Sequence, residues 1–189
     1  MSNTLNNSNR KARHVLSIFA GNLLQGAGFG LGCLSLWFST QPISVPIRVM
    51  TMIAGYLLIY FTSHSSAHYL VGRLGRIRFS HYSVGGSSHA SSYPPGMQQI
   101  FERLPFLKVH TNSQSLKSAD STAQALMFGA GIVSTVVLSS LAALFAFRAD
   151  VPGGLSLLIF NVIWQVSSLI AEMRQGGDLA KAAKSFRSS

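Results

Sequence analysis

The sequence predicts an all-α integral membrane protein: a four-helix transmembrane bundle whose cytoplasmic loop carries a short β-strand and an amphipathic helix. Three observations predict it. Four long apolar stretches, 15–38, 45–71, 123–147 and 155–171, run through the 189 residues. Only 11% of residues are charged, whereas a soluble domain carries about a quarter. The charges that exist lie between the stretches or at their ends, as expected where a charge at mid-bilayer costs at least ~2.5 kcal/mol.

Each element follows from length and local chemistry. Residues 1–13 are polar and rich in Asn and Ser, the composition of a disordered cytoplasmic N-terminus. A helix rises ~1.5 Å per residue, so about 20 residues cross the ~30 Å hydrocarbon core. The first and third stretches meet that length outright. The second does so by including its histidines, and the fourth by recruiting flanking residues to about 153–172. The first stretch is too long for the apolar core of a signal peptide and is interrupted by Asn22 and Gln25, so it reads as a span.

With four spans, the 72–120 loop falls on the same side as both termini. Within it, 76–84 alternates loosely and ends at Gly85-Gly86, as a strand and turn do. The run 97–109 places Met97, Ile100, Phe101 and Leu104 at helical spacing, a helix lying on the membrane surface that Pro105 ends. A single transmembrane domain over 14–178 and a basic tail over 179–189 complete the chain.

The net charge of +10 would suit a nucleic-acid partner, but its distribution argues otherwise. Basic residues gather at Arg10, Lys11 and Arg13, then at Arg73, Arg76, Arg78, Arg103, Lys108 and Lys117, then at Arg174, Lys181, Lys184 and Arg187. The other two connections hold only Arg48, Arg148 and Asp150. That is the positive-inside pattern, with N- and C-termini cytoplasmic; short loops and four spans suit a prokaryotic plasma membrane. The partner implied is the lipid bilayer, not nucleic acid.

The lone Cys33 excludes an intrachain disulfide framework and, inside an apolar run, reads as a buried inert thiol. Gly26, Gly28, Gly30 and Gly32 form two overlapping small-residue pairs at i,i+4 on the first helix. Such pairs let backbones approach closely, within one bundle or in self-association.

Two features carry chemistry. His64 and His68, at i and i+4 in the second span, share one helix face, so both imidazoles reach one metal ion. In the fourth span Asn161, Gln165, Ser168 and Glu172 step by four, three and four, a polar stripe that should face the bundle interior. The stripe leads to Glu172 and then Asp178, at the same membrane face as the histidine pair. Only five residues of the chain are acidic, and two lie here.

The segment 64–77, His-Ser-Ser-Ala-His-Tyr-Leu-Val-Gly-Arg-Leu-Gly-Arg-Ile, resembles the metal-binding helix of the site-2 protease family of intramembrane zinc metalloproteases. That family carries H-E-x-x-H late in a membrane helix that runs into small and basic residues before a short sheet. The resemblance covers 56–85 and, loosely, the last 20 residues. It implies His64 and His68 as zinc ligands, and Asp178 as the third ligand after a membrane helix. The sequence departs from the family at Ser65, where the general-base glutamate belongs, and it lacks the N-P-x-x-x-x-D-G surroundings of the aspartate. The reading is therefore a metal-binding, catalytically impaired relative that binds or regulates another membrane protein. Two alternatives stay open: an active metallohydrolase with Glu172 as base, and a structural subunit of a membrane complex without metal. His-rich boxes of membrane di-iron enzymes and facing histidines for a bis-histidine haem are both missing. Of the loop histidines His81, His89 and His110, His81 would add a ligand if its strand folded back over the site, and otherwise reads as an exposed loop residue.

Overall fold

A computed structural model describes residues 14–86, 99, 103, 106–174 and 176–187. The predicted disordered segment 1–13 and most of the 97–105 helix lie outside the described residues. The order of elements is β1 (His14–Leu16), α1 (Ile18–Phe38), α2 (Val45–Leu74), β2 (Phe79–Gly85), β3 (Phe106–Thr111), α3 (Ser113–Ser118), α4 (Ser121–Arg148), α5 (Gly154–Arg174) and α6 (Asp178–Arg187).

Four helices, α1, α2, α4 and α5, are long and apolar enough to cross a membrane. Their starts follow local chemistry. The Ser17 hydroxyl accepts from the Ala20 N–H at 3.1 Å to cap α1, and Asp120 accepts from the Thr122 N–H at 3.0 Å to cap α4. Pro46 opens α2, where its missing N–H costs nothing.

The bundle is apolar outside and partly polar inside. Phe19, Leu31, Val133, Leu141 and Ile163 are more than half exposed, while Ser139, Asn161 and Gln25 are at most 1% exposed. A soluble bundle has the opposite arrangement. The polar stripe does face inward. Asn161 accepts from the Tyr56 hydroxyl at 2.9 Å and donates to Ser140 at 3.0 Å, and Gln165 donates to the Ser139 hydroxyl at 2.5 Å. Trp164 donates to the Tyr60 hydroxyl at 2.9 Å. Leu36, Met52, Ile59, Ala143 and Ala146 surround these bonds with apolar packing.

α1 meets α2 through glycine. A Cβ on Gly55 would lie 2.8 Å from the Gly32 carbonyl oxygen, and one on Gly32 would lie 2.9 Å from Ile59. Gly28 faces Thr62 in the same seam, whereas Gly26 and Gly30 meet nothing within 4 Å. The two small-residue pairs thus have separate surroundings, one inside the bundle and one open. Cys33 is exposed rather than buried, because the seam uses the adjacent Gly32 and turns Cys33 outward.

At the far end Arg48 ties both short connections, donating to the Ser39 carbonyl at 2.9 Å and the Asp150 carbonyl at 3.2 Å. At the opposite end a three-stranded antiparallel sheet, ordered β1-β2-β3, lies against α1 and α2. β2 is the expected strand. β1 and β3 were not expected: Leu16 pairs with Tyr82, and Tyr82 with Val109. Residues 106–109, the end of the 97–109 run beyond the expected helix, belong to this sheet. They are Phe-Leu-Lys-Val, suited to pairing with β2. Tyr82 is fully buried; its ring sits on Gly21, where a Cβ would overlap it, and its hydroxyl donates to Asn22 at 2.8 Å. The C-terminal residues are also more than a tail. α6 buries Ala182 and packs against α4.

Candidate metal centre

His64 and His68 stand one turn apart near the sheet end of α2, facing α4. A π-system as large as imidazole needs room there, and Gly131 of α4 supplies it. A Cβ at Gly131 would lie 2.6 Å from His68 Cε1 and 2.8 Å from Cδ2, and closer still to Nε2.

The Nδ1 atoms fix the tautomers. His68 Nδ1 lies 2.7 Å from the Met127 carbonyl oxygen, which only accepts, so this nitrogen carries the proton. His64 Nδ1 lies 3.2 Å from the Thr135 hydroxyl. Thr135 spends its own proton on the Gly131 carbonyl at 2.9 Å, so it accepts from His64. Both Nε2 atoms are left with lone pairs, and they are 3.1 Å apart. Asp178 Oδ2 completes the group, 3.0 Å from His68 Nε2 and 3.4 Å from His64 Nε2.

Three electron-pair donors therefore converge on one point with no hydrogen between them. Only a cation at the centre, a proton or a metal ion, makes that arrangement favourable. The dimensions suit a metal. A point about 2.05 Å from all three donors lies about 0.9 Å out of their plane, against about 0.7 Å in an ideal tetrahedral zinc site. Backbone and hydroxyl partners on both Nδ1 atoms are the usual outer shell of metal-bound histidine. His64, His68 and Asp178 form the group able to hold a metal ion among the described residues.

Asp178 reaches the centre by a tight turn. Gly176 adopts φ +68°, a conformation that favours glycine. The Gly177 N–H then donates to the Glu172 carbonyl at 3.0 Å, and the Asp178 N–H to Glu172 Oε2 at 2.7 Å. A Cβ on Gly177 would overlap that carboxylate. Glu172 thus orients Asp178 and satisfies the first turn of α6. The other carboxylate oxygen, Oδ1, accepts from Lys181 at 2.7 Å, and the Lys181 ammonium sits 5.5 Å above the Phe128 ring. Burial by itself would raise the Asp178 carboxyl, but with a proton at the centre the hydrogen bonds from His64 and His68, together with that from Lys181, outweigh it and hold the group well below the usual carboxylate range.

The three donors line a cleft of about 400 Å³, together with Ser65, Glu172, Lys181 and residues of β3. Ser65 makes a structural bond: its hydroxyl donates to the Leu107 carbonyl at 2.6 Å and fastens β3 to α2. His81 does not join the centre. It stacks on His110 with ring centroids 4.5 Å apart, and His110 Nε2 lies 2.7 Å from the Ser83 hydroxyl. His89 lies outside the described residues.

Sequence reasoning named all three donors. It did not find Gly131, Thr135, the Met127 carbonyl or the Lys181 contact. The sequence marks the first two only as one more small residue and one more hydroxyl in an apolar helix. The comparisons with known proteins add no relative: no family model, no curated protein and no solved structure matches the chain at a significant level.

Proposed function

We propose that the chain is an integral protein of a prokaryotic plasma membrane, with cytoplasmic termini, and that it holds one divalent ion, zinc by donor type, at His64, His68 and Asp178. The observation that carries this reading is the convergence of two unprotonated Nε2 atoms and a carboxylate oxygen within 3.4 Å of one another. The donor set of two imidazoles and one carboxylate with an adjoining cleft is the open type of zinc site, which supplies Lewis-acid chemistry when the metal is bound.

The residues around the centre limit the chemistry open to it. Met127 and Thr135 hold the imidazoles, Glu172 and Lys181 hold the carboxylate, and Ser65 holds β3 along the cleft. Ser65 has no basicity near neutral pH and has its proton committed to Leu107. On this reading the chain keeps the metal-binding helix and third ligand that its sequence resemblance to site-2 proteases implies, and lacks their base. Binding or regulating another membrane protein is the role this combination favours. A second reading, hydrolysis with Glu172 as base, rests on one observation: Glu172 lines the same cleft.

The test is the metal content of the detergent-purified protein beside a His64→Ala/His68→Ala variant. About one zinc per chain, lost in a variant that keeps its helical circular dichroism, supports the centre. No metal in the wild type after incubation with zinc would overturn it and leave a structural bundle.

A further inference from the structure

His64 and His68 are held by α2 and by their partners on α4, but the third donor arrives on a separate element. Asp178 is the first residue of α6. The backbone behind it is free to turn: Gly176 stands at φ +68° with nothing within 4 Å of an added Cβ, and Gly177 follows. Little apolar surface ties α6 down. Ala182 is its one buried residue, while Lys181, Lys184, Phe186 and Arg187 are exposed. The Lys181 ammonium bonds to Asp178 within α6 and touches α4 by lying 5.5 Å above the Phe128 ring. The Glu172 carboxylate holds the Asp178 N–H, which fixes the start of α6 and not its far end. Among the described residues, the ion pairs from α6 to other elements are those of Asp178 with His64 and His68.

We propose that α6 is a zinc-operated latch: the ion at His64, His68 and Asp178 docks it on α4, and loss of the ion frees it to swing about Gly176 and Gly177. The latch rests on the proposed metal centre and adds a regulatory output to it. Its physical basis is the pair of unprotonated Nε2 atoms. Without a cation, the Asp178 carboxylate faces two lone pairs at 3.0 and 3.4 Å, and acceptors that close repel one another. With zinc, the same three atoms become ligands, and α6 is tied to α2 through the metal. The coupling runs both ways: zinc orders α6, and a partner that captured free α6 would lower zinc affinity by the same factor. Asp178 and Lys181 also line the cleft, so release of α6 removes part of its wall and uncovers α4 around Phe128. An occupied centre is thereby reported at the C-terminal helix, an output that requires no general base.

Amide hydrogen exchange of the full chain in detergent, read by mass spectrometry, tests it, with zinc content measured on the same samples. At about pH 8.5, roughly two units above the ordinary imidazole value, a proton does not stand in for the metal. Zinc should slow exchange over 179–187 at least ~10-fold and leave β2 unchanged. Asp178→Asn is the sharper arm. Its side-chain N–H donates to the Nε2 lone pairs in the cation's place, so α6 should be protected with and without zinc, while zinc affinity falls. Equal exchange over 179–187 with and without zinc, in a wild type holding about one zinc per chain, overturns the latch and leaves the metal centre standing. So does slowing that extends equally to β2, or an Asp178→Asn variant whose α6 exchanges as fast as that of the zinc-free wild type. No zinc in the wild type overturns the metal centre, and the latch with it.

Discussion

Gly131→Ala is the sharpest perturbation of the proposed metal centre, because it adds one carbon at a residue that carries no charge and is not among the proposed ligands. The new Cβ would lie 2.6 Å from His68 Cε1 and 2.8 Å from Cδ2. Ordinary carbon contacts need about 3.5 Å or more, so the ring or the helix must retreat by about 1 Å. Ligand distances in a metal site tolerate about 0.2 Å. His68 cannot retreat that far and keep both its bond to Met127 and its place in the triangle. Disturbing outer-shell support alone weakens metal binding by roughly 10–100-fold, equal to about 1.4–2.7 kcal/mol. Zinc affinity, measured by competition with a chromogenic chelator, should fall by at least that factor. Overpacking should also lower stability by about 1–3 kcal/mol. Gly129→Ala is the control, two residues away on the same helix with nothing within 4 Å; it should leave zinc affinity unchanged. Wild-type affinity in Gly131→Ala would refute the argument that His68 is a ligand held in place by the bare α4 backbone.

Other substitutions separate the roles of the surrounding groups. Glu172→Ala removes the acceptor for the Asp178 N–H and should weaken zinc binding about 10-fold, whereas Glu172→Gln keeps an acceptor and should bind zinc nearly as the wild type does. If a substrate is found, turnover retained in Glu172→Gln eliminates Glu172 as base. Ser65→Ala frees β3 from α2 and should cost about 1 kcal/mol of stability, read by thermal unfolding, with zinc content intact. On α1, Gly32→Leu strikes the Gly55 seam and should prevent folding, while Gly30→Leu should fold normally; a fall in crosslinked dimer in the latter alone would locate self-association on the open Gly26/Gly30 side. The sheet should weaken in acid. Burial first, then His81 and Lys108, push the His110 imidazole below its ordinary 6.5, so the folded state takes up the proton less readily than the unfolded state. Its contribution is present above about pH 6.5 and is lost as pH falls through the lowered value. His110→Gln should flatten that dependence in a pH series of melting temperatures.

The spans were legible because a bilayer imposes one coarse rule, about 20 apolar residues per crossing, and it dominates local detail. The inward stripe of Asn161 and Gln165 was legible for the same reason: helical spacing places those groups together, and lipid leaves them no other direction. The sheet was legible only at β2. β1 consists of three residues, His14–Leu16, next to a span whose hydropathy absorbs them, and its pairing with β2 depends on a contact across some 66 positions of sequence. β3 was missed because Phe106–Thr111 is a short run after Pro105 with no turn signal of its own, and only its partner β2 makes it a strand. α6 was read as tail because Lys181, Lys184 and Arg187 mask the burial of one alanine. What makes it a helix with a fixed place is the turn at Gly176, the Glu172 carboxylate and the α4 surface, none of them local to 179–189.

The three donors became legible by a different route, through spacing on one helix and the scarcity of acid in the chain. Spacing cannot show which nitrogen of each imidazole faces the centre, and that is what turns a histidine pair into a ligand set. Met127 offers a carbonyl, invisible in any sequence, and Thr135 becomes an acceptor only because Gly131 takes its proton. Gly131 therefore serves the centre twice, as space for the His68 ring and as the acceptor that fixes the direction of the Thr135 hydroxyl and, through it, of the His64 proton. Ser65 gains its meaning in the same way. Judged against H-E-x-x-H it is a missing base, but its hydroxyl is a strut between α2 and β3 at 2.6 Å. A glutamate there would set a carboxylate against the Leu107 carbonyl and release the strand. A glutamate at position 65 would therefore cost the cleft its wall, which ties the residue at this position to the placement of β3.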